Sequence, residues 1–224
     1  PLDLGKAAEV LSDRAIATAD FRDQYYGLVG AVSDAPVGAP LITSGLIDAG
    51  RSQWGRRPTR FAGATYNAPR VKVAGLSPKL QEWARLRLVP KVLVASQTKA
   101  IEAVVDEAGE CLPSVPVISV VPRSGDDVWH LAALLTSPVA SAWLHHRRLG
   151  SGLSVKTIRV TASDLAAIPL PQGRASWDEA ALALRHGDVA SCGRRMLEAY
   201  DLGGRGDLYD WWWERVSGST VPKG

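Results

Sequence analysis

Two cysteines in 224 residues, one methionine and two phenylalanines leave several kinds of protein out of consideration. Cys111 and Cys192 cannot build a disulfide framework, and without a Cys-x-x-Cys spacing they do not suggest zinc, so a reducing interior is the expected setting. No apolar run approaches the roughly 18 residues that span a bilayer. The best stretches, 112–121 and 131–144, are interrupted by prolines or polar groups. A cytoplasmic protein without a membrane segment is expected. The chain begins at Pro1 with neither an initiating Met nor the basic start and apolar centre of a signal peptide, the expectation for a piece of something longer.

Catalytic signatures are equally scarce. There is no phosphate-cradling Gly-x-x-x-x-Gly-Lys, no Gly-x-Ser-x-Gly elbow and no His-Glu-x-x-His. Gly27-Leu28-Val29-Gly30 is too short a signal for a dinucleotide loop. His145 and His146 are adjacent, so on a helix they project apart and do not share a metal. Asp106, Glu107 and Glu110 cluster at a turn, where the choice lies between solvated turn carboxylates and a two-metal nuclease centre.

What the chain does have is charge, unevenly distributed. Eleven of its 26 Lys and Arg fall within residues 51–99, opposed only by Glu82, for a net +10; the other fifteen cations and twenty-two carboxylates sum to −7. Such segregation bears on association and not on core formation, and a concentrated cationic surface suits a polyanion. The alternative is a set of solvated cations neutralised by acidic neighbours in space. Trp54, Phe61, Tyr66 and Trp83 are interleaved with the cations. Aromatic rings stack on exposed bases, whereas Phe61 and Trp83, among apolar neighbours, read as core; Trp54 is open to either role. Arginines on loops grip phosphates or read guanine edges. The candidate nucleic-acid contacts are Arg51, Trp54, Arg56, Arg57, Arg60, Arg70, Lys72, Lys91, Gln97, Lys99, Lys156 and Arg159. Of these, Arg56, Arg57 and Arg60 are expected on loops that meet a groove, while Lys79, Arg85 and Arg87 line the wet side of a helix and face phosphate or water. Gln97-Thr98-Lys99 reads as a polar turn, able to meet DNA edges or simply to join two strands.

A composition of 46% hydrophobic and 22% charged residues supports an ordinary globular core. Short β-favouring pieces at 41–43, 59–61 and 70–73 alternate with Gly and Pro, predicting hairpins and loops. Ser77-Pro78 opens an amphipathic helix carrying Leu80, Trp83, Leu86 and Leu88. Apolar runs at 91–95, 100–105 and 115–121 predict sheet strands. Asp126 and Asp127 can cap a helix through Trp129 and Leu135; Ser137-Pro138 restarts another that closes on His145-His146-Arg147-Arg148, cations that suit a helix C-terminus. A strand at 157–160 and a capped short helix at 163–165 follow. The last fifty residues predict three helices, the first opened by a Ser176/Glu179 capping box. On the third, Trp211, Trp212 and Trp213 advance by about 100° each, so all three cannot face one core. The expected architecture is α+β: a mixed or antiparallel sheet region with packed helices over 1–172, then a helical segment, 173–224, that packs on it or on a neighbouring domain.

From Lys91 onward the order of segments resembles the target-recognition part of adenine-specific DNA methyltransferases of restriction-modification type. The matching pieces are Lys91-Val92-Leu93-Val94-Ala95, Ala103-Val104-Val105-Asp106-Glu107-Ala108-Gly109, Pro113-Ser114-Val115-Pro116-Val117-Ile118, Leu131 to Pro138 with Trp143, and Ile158-Arg159-Val160 through Leu165 to Ile168-Pro169-Leu170-Pro171. Together they cover roughly 91–171. The resemblance implies recognition of a short duplex sequence, with an adenine flipped into a separate methyl-transferring domain. The chain departs from the family where chemistry would be: it has neither the Asn/Asp-Pro-Pro-Tyr/Phe motif nor the glycine-rich S-adenosylmethionine loop, and Asn67-Ala68-Pro69-Arg70 is not that motif. The implied partners are duplex DNA and a methyltransferase catalytic domain, upstream in the same chain or in a separate subunit. No cofactor is expected in this chain itself; S-adenosylmethionine is expected in the catalytic domain. A stand-alone nucleic-acid-binding or protein-interaction module is the competing reading.

Overall fold

The computed structural model describes residues 9–124, 128–148 and 157–218. Its centre is a four-stranded antiparallel sheet in the order Ala15–Ala19, Ile118–Pro122, Lys91–Val94, Ala103–Asp106. Side chains alternate across a strand, and here both faces are covered. Val92, Val94, Ala103, Ile118 and Val120 face a helical layer, while Leu93 and Val104 face Ile42, Leu46, Ile47 and Val117. Burial on both sides is why Lys91–Val94 reads as a continuous apolar run after its first residue.

The helical layer comprises Val128–Leu135, Pro138–Arg148, Arg174–Arg185 and Val189–Ala199, and Leu131, Leu134, Leu135, Trp177, Leu184 and Met196 share one core with the sheet. The segment from 173 onward is thus packed on the preceding residues through a common interior. In the last helix, Gly206–Ser217, Trp212 is fully buried, and Gly193 makes room for it: a Cβ there would stand 2.5 Å from the indole. Trp211 and Trp213 are half-buried. Trp211 meets His145 edge-on at 5.3 Å and lies under Arg215, while Trp213 stacks on Tyr209 at 6.1 Å. The three indoles point in different directions, as their spacing requires.

On the other side of the central sheet lies a smaller lobe. Its sheet runs Leu112–Pro113, Ala39–Ile42, Arg70–Val71, Val32–Ser33, over a core of Leu28, Leu41, Phe61, Val71, Leu76 and Trp83. The helix Pro78–Arg87 begins at its expected proline, but Leu86 is exposed and Ala84 takes the inward place beside Trp83. The fold class is α+β, and no helix among the described residues is long and apolar enough to cross a membrane.

Several local expectations are corrected or extended. Ala15–Ala19, for which the sequence raised no expectation, forms the sheet edge by pairing with Ile118–Pro122. The Ser176/Glu179 pair does not open a helix; Gly173 precedes the first turn and Ser176 lies within it. The helix Ala162–Ala166 is capped by Thr161, whose hydroxyl accepts from the Asp164 amide while the Asp164 carboxylate takes the Thr161 amide and Arg148. Burial pushes the Asp164 carboxyl up, but these bonds outweigh it and hold its pKa below the usual value. Asp126, Asp127 and Lys156 lie outside the described residues.

Candidate nucleic-acid interface

Two hairpins carry part of the cationic stretch, the first packed on the central sheet and the C-terminal helices, the second on the smaller lobe. The first pairs Ile47–Asp48 with Arg51–Ser52, the second Thr59–Phe61 with Ala64–Tyr66. Phe61 fastens the second by burying its ring 4.8 Å from Tyr25, whose hydroxyl accepts the Ala62 amide at 3.0 Å. Thr59 and Thr43 share a buried hydroxyl pair at 2.5 Å. With Thr59 and Phe61 inward, strand alternation turns Arg60 to solvent.

Not all the cations are free to meet a ligand. The Arg57 guanidinium donates to both carboxylate oxygens of Asp48, at 2.7 and 3.2 Å, and to the Gly45 carbonyl at 2.9 Å. The Asp48 side chain is only 9% exposed and also accepts from Gln53 at 2.6 Å, so Arg57 is part of the fastening of this loop. Lys91 is a clearer correction. It is 0% exposed, paired across the central sheet with Asp106 and bonded to the Val89 carbonyl at 3.2 Å; desolvation drives its pKa down. Its position in a strand covered on both faces removes it from any surface. Arg87 is paired with Asp20 at 2.6 Å and Arg85 with Glu82 at 2.7 Å.

The acidic turn beyond Lys91 is also engaged: Asp106 accepts the amides of Glu110 and Cys111, and Glu107 accepts from the Trp129 indole and from Arg185. Among the described residues no group of three His, Cys, Asp or Glu has the arrangement to hold a metal.

Eleven cations less these four ion pairs leave seven: Arg51, Arg56, Arg60, Arg70, Lys72, Lys79 and Lys99 have no carboxylate partner among the described residues. All but Arg70 are exposed. Arg70 donates to the Gly38 carbonyl at 2.9 Å and lies 4.6 Å above the Trp54 ring, while the indole N–H donates to the Pro69 carbonyl at 2.9 Å. Trp54 is therefore half-buried with one face covered by a guanidinium, a pairing with no signal in the sequence because the partners are sixteen residues apart. Arg51, Arg56, Ser52 and Trp54 line a cleft of about 420 Å³ whose floor includes Ile42 and Cys111. Burial pushes the Cys111 thiol up to about 12, so it is neutral and unreactive at neutral pH. Arg51 also borders a second cleft, of about 310 Å³, against Asp188 and Trp213.

A separate exposed feature arises where Gln97–Thr98 pairs antiparallel with Ile158–Arg159, in the register Gln97 to Arg159 and Thr98 to Ile158. The expected polar turn is a short two-stranded ribbon instead. Thr98 and Ile158 are buried, so Gln97 and Arg159 point outward opposite each other, and Lys99 is exposed beside them. Neither a protein-family model nor a curated protein matches the chain.

Proposed function

We propose that this chain recognises a short duplex DNA sequence as the non-catalytic specificity part of an S-adenosylmethionine-dependent adenine methyltransferase of a cytoplasmic restriction-modification or related phage-defence system. The observation that carries the reading is the set of exposed cations without carboxylate partners among the described residues, above all Arg51 and Arg60 on the two hairpins and Arg56 on the turn between them. Ordinary surface charge tends to be interspersed by sign, whereas these lie in a stretch whose only carboxylate, Glu82, is already paired with Arg85. The segment order over 91–171 supports methyltransferase association in particular. Methyl transfer, S-adenosylmethionine binding and adenine flipping belong in this reading to a catalytic domain in the same chain or a partner subunit.

Phosphate neutralisation releases counterions, so each true contact adds about 0.9 to the slope of log K against log salt. Titrating labelled duplex DNA with the 224-residue chain at several salt concentrations should give a steep slope. Arg56→Ala is expected to lower it by about 0.9, and the combined Arg51, Arg56 and Arg60 to Ala variant by about 2–3. An unchanged affinity and slope for the triple variant would remove the hairpins from the interface.

A further inference from the structure

We propose that the ribbon formed by Gln97–Thr98 and Ile158–Arg159 enters the major groove and reads two neighbouring base pairs, Gln97 taking an adenine and Arg159 a guanine. The inference rests on the DNA-recognition reading and assigns within it the residues that specify sequence.

The major groove admits a two-stranded ribbon, and its base edges pair bidentately with two kinds of side chain above others: the Gln or Asn amide with adenine N6 and N7, and the Arg guanidinium with guanine O6 and N7. The ribbon presents one of each. Its register sets Gln97 directly opposite Arg159, and both are exposed. Directly opposed residues have Cβ atoms about 5 Å apart, and base pairs along the duplex rise by about 3.4 Å, so these two side chains suit adjacent or near-adjacent pairs.

The base of the ribbon is held firmly, which base reading requires. Thr98 and Ile158 are buried, Val160 donates its amide to the Ser96 carbonyl at 2.8 Å, and Ile158 and Val160 belong to the main core. After the ribbon, Ala100 and Ile101 are buried and the Ile101 amide donates to the Ser141 hydroxyl at 3.1 Å. Arg159 has no carboxylate partner among the described residues, unlike Arg57, Arg87 or Arg148, so its donors are available. Lys99, two residues beyond Gln97 and exposed, is placed for the phosphate beside the groove.

The test is selection of binding sites from a randomised duplex pool by the 224-residue chain and by Gln97→Ala, Arg159→Ala and Arg159→Gln variants, each verified as folded by its near-ultraviolet circular dichroism. The wild-type motif should contain an A·T and a G·C pair next to each other or one apart. Gln97→Ala should lose preference at the first and Arg159→Ala at the second, each weakening binding to the wild-type site about 5- to 150-fold. Arg159→Gln should move the second preference from guanine towards adenine, an outcome that loss of stability cannot imitate. A motif retained unchanged by all three variants overturns the ribbon assignment while leaving DNA recognition standing. Uniform weakening with every position retained makes these residues phosphate contacts and also overturns it. A wild-type chain that selects no duplex at all sinks the recognition reading together with this one.

Discussion

Arg56 and Arg57 are neighbours in the chain, yet one guanidinium stands in solvent and the other holds the Asp48 carboxylate with two hydrogen bonds. The difference lies in Asp48: a carboxylate 9% exposed needs a partner, because a buried charge left alone costs far more than a solvated pair gains. Arg57→Ala should therefore act on stability, lowering it by about 1–2 kcal/mol once the partial exposure of the arginine is discounted and Gln53 is left as a remaining donor. A denaturant titration checks the cost, and a salt titration of DNA binding should give the wild-type slope. A wild-type denaturation midpoint combined with a slope reduced by about 0.9 would make Arg57 the phosphate contact after all. The charge count over 51–99 was legible in the sequence, but the division of labour within it was not. Asp48 precedes Arg57 by nine residues, Asp20 precedes Arg87 by sixty-seven, and Lys91 reaches Asp106 only because two strands align.

At the scale of elements, the hairpin that carries Arg51 is positioned by a glycine. Gly50 has φ +69, its amide donates to the Ala103 carbonyl at 2.8 Å, and a Cβ on it would stand 2.8 Å from Leu184 and Val189. The hairpin tip is thereby seated between the central sheet and two helices of the C-terminal segment. Gly50→Ala combines the strain of a left-handed residue with overpacking and should cost about 2–4 kcal/mol. Gly55→Ala is the matched comparison, since its φ of +72 is similar but nothing lies within 4 Å of the added methyl. It should cost only about 1 kcal/mol. Equal losses in thermal unfolding for the two would mean that the helices do not hold the hairpin. Elements with strong internal patterns were readable in advance: Lys91–Val94 and Ile118–Pro122 as buried apolar runs, Pro78–Arg87 from its initiating proline. The ribbon of Gln97–Thr98 was not, because its partner lies some sixty residues on and two paired residues leave no periodicity to detect. Ala15–Ala19 was hidden for a related reason: one face of an edge strand is partly open, so Ile16 can be exposed and the apolar alternation is lost.

At the scale of the molecule, the boundary expected near residue 172 does not divide the interior. Trp177, Ala180, Ala181, Leu184, Cys192, Met196 and Ala199 lie in the same cluster as Val92, Val94, Ile118 and Leu131. Burying a large apolar side chain contributes about 1.5–3 kcal/mol, so removing Trp177, Leu184 and Met196 alone forfeits about 4.5–9 kcal/mol, against a total of about 5–15 kcal/mol for a typical domain. The helical segment thus supports the hairpin that bears Arg51 and the chain beside Lys99, through the packing of Gly50 and through Ala49 and Ala100 against Trp212. The full chain should unfold in one transition, with tryptophan emission and alkylation of Cys192 giving the same midpoint. That thiol is wholly buried, and desolvation lifts its pKa to about 12, so it reacts only when the chain opens. A chain ending at residue 172 should expose apolar surface to a reporter dye, lack a near-ultraviolet circular dichroism signal and lose duplex binding. A cooperative transition and undiminished DNA affinity in that shortened chain would show the proposed recognition surface to be independent of the C-terminal helices, and the shared core to be dispensable.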